Sequence, residues 1–251
     1  MTPKAHAVYS FVLGVMFLGV CSGAAQASII IEGTRLVYPG DAREVTVKIN
    51  NAGASPVLAQ SWLDDGDASK NPEEIKVPFL LSPAVIRLDK NSSAAIRITY
   101  TGEELARDRE SLFWLNVLET PPRKEADENV LQFTFRTRIK VFFRPGNLSS
   151  GADRAPNQLE WKLDETAKGV TGTHAAIKVT NPTAFYISFG KVEVATDKQR
   201  IAVNDAMVAP FSSETFPLPA NAPRIDRKSS VHYEVINDFG GRRVLEKPLS
   251  L

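Results

Sequence analysis

Between Asn129 and Arg144 the chain alternates more regularly than anywhere else. Leu131, Phe133, Phe135, Thr137, Ile139, Val141 and Phe143 take the odd positions, and Gln132, Thr134, Arg136, Arg138 and Lys140 the even ones. Successive side chains of a strand point to opposite faces, so the pattern predicts one long β-strand with a greasy face and a basic face. Most strands run only about five or six residues. Two readings follow. Either every apolar residue is buried in the strand's own core, the simpler case for a chain of unknown class, or the first half outruns that core and leaves Leu131, Phe133 and Phe135 for a partner.

The first 27 residues stand apart from the fold. Lys4 precedes an apolar run from about Val8 to Val20, and small residues ending in Ala25-Gln26-Ala27 follow. Charge, short apolar core and Ala-x-Ala site in that order read as a secretory signal, residues 1–27, cut after Ala27. Cys21, the single cysteine, lies within it. It follows Val20 instead of the small residue a lipoprotein signal requires. The mature chain therefore has no cysteine and must be held by packing alone, although its compartment would permit disulfides. No later run is long and apolar enough to cross a membrane as a helix. With Lys+Arg 30 against Asp+Glu 29, the formal charge is +1, which argues against a general nucleic-acid or anionic-membrane binder.

Short alternating or β-branched runs recur between turn signals along the whole mature chain. Before residue 145 they include Arg35–Tyr38, Glu44–Ile49, Val57–Leu63, Val85–Leu88, Ala94–Tyr100 and Leu112–Leu118. This spacing predicts a β-sandwich. Glu103–Arg109 reads as a short helix of about two turns. Pro145–Gln158 has the proline, glycine and small polar residues of a junction, and beyond it the strand pattern resumes from Leu159 to Pro248. The expected class is all-β, with domains at 28–148 and 149–251. Trp114 is expected in the core and Asn116 in local hydrogen bonds.

No catalytic or metal-binding set emerges. Asp64, Asp65 and Asp67 surround Gly66 without calcium-loop spacing, and a hairpin turn accounts for them. His174 and His232 lie on different predicted strands with no cysteine to complete a zinc site. Neither a nucleophile elbow nor a phosphate-binding glycine loop is present. The chain reads as nonenzymatic, without a cofactor.

Leu105-Ala-Arg-Asp-Arg-Glu-Ser-Leu-Phe-Trp-Leu-Asn-Val-Leu-Glu-Thr-Pro-Pro122 closely resembles the signature of the periplasmic pilus-assembly chaperones, the PapD-like family. Thr120 departs from the aliphatic residue usual before the two prolines. The likeness extends, in the family's order, to Gly33-Thr34-Arg35, Ile139–Pro145, Asn181-Pro182-Thr183 and Ile236-Asn-Asp-Phe-Gly-Gly241. The resemblance implies two immunoglobulin-like sandwiches set at an angle, with a cleft between them. It implies that Arg35 and Lys140 hold the terminal carboxylate of a pilus or fimbrial subunit. Leu131, Phe133 and Phe135 would be lent to that subunit, whose own sandwich lacks a strand. Glu110, Arg144 and Asp238 match an interdomain charge network, expected to fix the angle more than to stabilise. The implied setting is the periplasm, and the further partner is an outer-membrane usher. A free strand edge of this kind can also pair with a second copy of the chain. The short Arg123–Glu128 connection and the missing cysteines resemble the family's short-loop branch. The alternative, a structural fimbrial subunit or adhesin, calls for a donor extension at the N-terminus and often a cysteine pair, the reverse of this pattern.

Burying the three apolar donor residues is worth about 1.5–3 kcal/mol apiece, roughly 5–9 kcal/mol gross before ordering costs. A charge-assisted hydrogen bond to a carboxylate adds about 1.5–3 kcal/mol. The strand would thus supply most of the affinity and the cations its register, since a one-residue slip turns every phenylalanine to the wrong face.

Overall fold

The computed structural model describes residues 28–122, 132–164, 168–169, 172–173, 175–203, 207–219, 222, 225–226 and 228–250. The secretory signal, the Arg123–Glu128 connection, Leu131 and His174 lie outside the described residues.

Two packed sheets make up the first half. Its strands are β1 (Ile29–Ile31), β2 (Arg35–Pro39), β3 (Val45–Asn51), β4 (Val57–Asp64), β5 (Phe79–Ser82), β6 (Val85–Leu88), β7 (Ser93–Tyr100), β8 (Ser111–Thr120) and β9 (Phe135–Arg144). One sheet runs β1-β3-β7-β5 and the other β2-β9-β8-β4-β6. Alternation sets the inner faces: in β4, Val57, Ala59, Ser61 and Leu63 are buried while Leu58 and Gln60 are exposed. Ile49, Ile96, Ile98, Leu115 and Val141 fill the space between the sheets. At one end Tyr38, Phe79, Tyr100, Phe113 and Phe143 form an aromatic cluster with ring centroids 4.7–6.5 Å apart. The Tyr38 hydroxyl donates to the Ala42 and Arg43 carbonyls and accepts the Tyr100 N–H at 3.0 Å, which pins β2 in place.

The second half repeats the plan. Its strands are β10 (Glu160–Asp164), β11 (Lys168–Gly169), β12 (Gly172–Thr173), β13 (Ala176–Asn181), β14 (Ile187–Ala195), β15 (Arg200–Val203), β16 (Met207–Val208), β17 (Ser212–Pro217), β18 (Ser230–Ile236) and β19 (Arg242–Pro248). The sheet β10-β13-β17 packs on β15-β14-β18-β19, β16 adds to β14, and β11 pairs with β12. Trp161, Phe189, Phe216 and Tyr233 form the centre of a second core that shares no residue with the first. The class is all-β, as two immunoglobulin-like sandwiches. Leu148 and Ala152 already pack against the second core.

Three expectations are corrected. Glu103–Arg109 is not helical. Two isolated turns lie below the length at which helix propagation repays its nucleation, and Gly102, at φ +91°, leads into a bent loop instead. Trp114 is half-buried on the outward face of β8, because its neighbours Phe113 and Leu115 take the core positions. The long alternating stretch enters its sheet only at Phe135; residues 132–134 precede the strand, and the Phe133 side chain is 54% exposed.

The path from β1 to β2 positions the site. β1 pairs antiparallel with β3 in one sheet, whereas β2 pairs parallel with β9 in the other. The chain changes sheets at Glu32–Thr34, where Gly33 adopts φ +97°, a conformation costly for any residue with a side chain. This crossing sets Arg35 directly opposite Lys140.

Candidate functional site

β9 is bordered unequally. Along one side β8 accompanies it from Phe135 to Phe143. Along the other, β2 begins only at the Arg35–Lys140 pair and continues to Pro39–Arg144. Among the described residues, no strand therefore pairs with the Phe135–Ile139 segment on that side. Its outward N–H and C=O groups form an open edge, ready for another strand. Phe133 and Phe135 stand at its start with ring centroids 6.5 Å apart, and Phe135 is half-buried. Ile139, Val141 and Phe143 are buried in the first core. The odd face is thus divided between an exposed beginning and a buried end.

Arg35 and Lys140 lie where the open edge meets the paired one, and both reach the second domain. Arg35 Nη1 donates to the Ile236 carbonyl at 2.9 Å. Its Nε is buried with no hydrogen-bond partner among the described residues. Burial pulls the Arg35 guanidinium pKa down against the attraction of Asp238, yet a guanidinium stays charged in a protein. Lys140 Nζ donates to Ser188 Oγ at 3.2 Å and stands 5.7 Å from the Trp114 ring centroid. Two cations with donors at the mouth of a cleft suit a carboxylate.

Behind them lies a cavity of about 180 Å³, lined by Arg35, Glu110, Phe142 and Arg144 from the first half and by Tyr186, Ser188, Ile236 and Asp238 from the second. Arg144 holds the two halves together. Its Nε donates to Glu110 Oε1 at 2.7 Å, and its Nη1 and Nη2 form a fork onto Asp238 at 2.7 and 2.9 Å. The other Glu110 oxygen accepts the Tyr186 N–H at 2.8 Å, while the Glu110 N–H donates to the Ala184 carbonyl. Burial raises the Glu110 carboxyl above its usual range, against the pull of Arg144 and the Tyr186 N–H. Burial would lower Arg144, but Asp238 and Glu110 outweigh it and raise the guanidinium. In the structure the Arg144 and Glu110 side chains retain 11% and 2% of their accessibility, so the pair is a desolvated one that is costly to break.

Several participants are not legible from the alternation. Phe142 interrupts the polar face of β9 because this end is covered on both sides; its ring lies 5.7 Å from Tyr186 of the second domain. Arg109 stacks on the exposed Phe211 at 5.0 Å. Gly240 brings the Asn237–Gly241 turn close to the β1–β2 crossing, where a Cβ would come within 2.8 Å of Thr34 Oγ1. Asp64 is more than the turn residue its spacing suggests. It does accept the Gly66 N–H at 2.7 Å, but it is also fully buried beneath Arg136, Arg138 and Asn116. Asn116 accordingly bonds residues of two other strands, not only its own neighbours.

The sequence profile described as the pili and flagellar-assembly chaperone PapD N-terminal domain matches residues 28–149, and that of the pili assembly chaperone PapD C-terminal domain matches residues 154–247. The chain belongs to this family. Among its relatives, the probable fimbrial chaperone YadV of Escherichia coli K12 is 40% identical over 225 residues, 88% of this chain and 89% of that one. The crystal structure of the Pseudomonas aeruginosa CupB2 chaperone is 43% identical, with a TM-score of 0.73 over 88% of this chain and all of that one. The Salmonella enterica SafB chaperone, solved in complex with the SafA pilin, is 27% identical with a TM-score of 0.72 over 90% of this chain and 99% of that one. These likenesses favour a fimbrial chaperone over a structural subunit or adhesin.

Proposed function

We propose that this protein is a periplasmic chaperone that caps fimbrial subunits by lending them the open edge of β9. The observation that carries this reading is the staggered border of β9. β2 begins only at Arg35–Lys140, and the segment of β9 ahead of that pair offers unpaired backbone together with exposed phenylalanine. A subunit lacking a strand has the complementary defect, a groove of apolar core and an unpaired edge of its own. Pairing the two removes both hazards, the mode of recognition in which main-chain bonds supply affinity and alternate side chains supply specificity. The solved SafA–SafB complex supports a pilin as the partner class.

Within this reading the subunit's terminal carboxylate sits between Arg35 and Lys140. The unpartnered Nε of Arg35 is a donor suited to it. Anchoring at this point fixes which residue of the subunit strand lies opposite Phe135. The Arg144 network holds the second domain so that the cleft keeps its shape. The chaperone then passes its subunit to an outer-membrane usher. Coproduction with a cognate fimbrial subunit tests the reading. Recovery of a one-to-one complex from the periplasm is expected, and a subunit that accumulates equally well without the chain contradicts it.

A further inference from the structure

We propose that Asp64 and the two arginines it binds are positioning residues for β9, holding the open half of the strand extended and in register before a partner arrives. This rests on the strand-donation reading. Among the described residues the open half, Phe135–Ile139, has a strand neighbour on one side only, and edge segments of that kind are where a fold opens first. Something other than a second ladder must keep it straight.

The outward face supplies the tie. Asp64 ends β4, two strands away from β9, and is completely buried. Arg138 Nε donates to Asp64 Oδ2 at 3.0 Å and its Nη2 donates to Oδ1. Arg136, the next outward residue of β9, places Nη2 3.6 Å from Asp64 Oδ2, donates from Nε to Asn116 Oδ1 at 2.9 Å, and from Nη1 to the Ala68 carbonyl at 2.7 Å. Asn116 of β8 closes the set by donating to Asp64 Oδ2 at 2.7 Å. The guanidinium of Arg138 covers Trp114 at 4.3 Å, and that of Arg136 covers Trp62 at 4.9 Å. Two successive outward side chains of the open half are thereby tied across β8 to β4 and the turn beyond it. A buried carboxylate adds little net stability, and its best attested use is to select one register over its neighbours. Slipping β9 by one residue would turn both arginines into the core. The Asp64 carboxyl agrees with this picture. Burial raises its pKa, but hydrogen bonds from Arg138, Asn116 and the Gly66 N–H hold it below the usual carboxylate range.

The test compares the mature chain with Asp64→Asn and Arg136→Gln by amide hydrogen exchange and by affinity for a cognate fimbrial subunit. Protection of those amides within 136–139 that are bonded to β8 should fall about tenfold while β3 and β7 keep theirs, and the subunit should bind about tenfold more weakly through slower association. Unchanged exchange in β9, or loosened exchange with unchanged affinity, overturns the proposal. Should Asp64→Asn fail to fold, Arg136→Gln, whose side chain is partly exposed, decides alone. If the wild-type chain binds no subunit, strand donation fails; the loss of protection in the free variants still judges the clamp.

A second, independent observation lies at the end of β8. Glu119 is buried, and its carboxylate accepts the Ser28 N–H at 2.8 Å, the Ile29 N–H at 2.9 Å and the Ser28 hydroxyl. The geometry points to Glu119 as the seat of the α-ammonium that removal of residues 1–27 creates at Ser28. It rests on the secretory-signal reading, and the family profile also begins at residue 28. Purified chains beginning at Ser28 and at Ala27 should differ in melting temperature by a few degrees, and Glu119→Gln should abolish the difference. Equal melting of the two chains overturns the seat. Sequencing the N-terminus of the exported protein tests the signal separately, since any start other than Ser28 contradicts the cleavage on which the seat depends.

Discussion

At the level of single residues, Lys140 and Arg35 do different work from the apolar side chains beside them. Lys140 is on the outward face of β9 and contributes nothing to the first core. Lys140→Ala should therefore leave circular dichroism unchanged and melting within about 2 °C, while weakening subunit binding by roughly 10- to 100-fold, the equivalent of a charge-assisted hydrogen bond. Retained copurification would remove the anchoring role. Asp64 gives a pH signature. Its carboxyl is lowered in the folded chain, so the unfolded chain binds more protons through the window below about pH 4. Its contribution is complete above the unfolded value and is lost as pH falls through the lower folded one. In acid titrations of stability, the wild-type chain should lose stability relative to Asp64→Asn as the pH falls below about 4; parallel curves would show that the carboxylate gains nothing from its partners. The partners of Asp64 could not be read from the sequence. The basic face of β9 is visible in the spacing of Arg136, Arg138 and Lys140, but its counter-ion comes from a strand 74 residues away from Arg138, and nothing local distinguishes Asp64 from the exposed acids after it.

At the level of elements, alternation located nearly every strand, because a half-buried strand writes its two faces directly into the sequence. β15 carries only a weak signal, since Ile201 alone of its four residues is buried. The Glu103–Arg109 helix failed for the opposite reason: residues with good intrinsic propensity cannot form a helix that has no apolar face to bury and too few turns to stand alone. The division of the long alternating stretch was only partly legible. Its buried end follows from parity, whereas the residue at which it joins the sheet depends on where β8 ends, a tertiary matter. Phe133 precedes the strand and is exposed, so Phe133→Asp should change stability by no more than about 0.5 kcal/mol. The same change should strongly impair subunit capture, because it loses about 1.5–3 kcal/mol of apolar burial and introduces a charge into the subunit's core. Unfolding of this variant would instead support the simpler reading, in which the phenylalanine belongs to the home core.

For the whole molecule, the relation between the two sandwiches depends on a few desolvated contacts. Family resemblance brought Glu110, Arg144 and Asp238 together, but not the desolvation of Glu110 and Arg144, which depends on Phe142, Phe185 and Tyr186 closing around them. Arg144→Met leaves Glu110 buried without its cation and Asp238 without its fork. A loss of about 3–5 kcal/mol is expected, with the single calorimetric transition separating into two as the domains uncouple. An unaltered single transition would mean that the apolar contacts alone hold the cleft. The central claim is that a subunit strand adds to the open edge of β9, and residue-resolved amide exchange tests it most directly. In an antiparallel pair every second residue bonds its partner, so β8 already occupies one alternate set of amides between Phe135 and Ile139. On binding a cognate fimbrial subunit, the other alternate set should become strongly protected; a complex that forms while those amides exchange as fast as in the free chain would contradict strand donation.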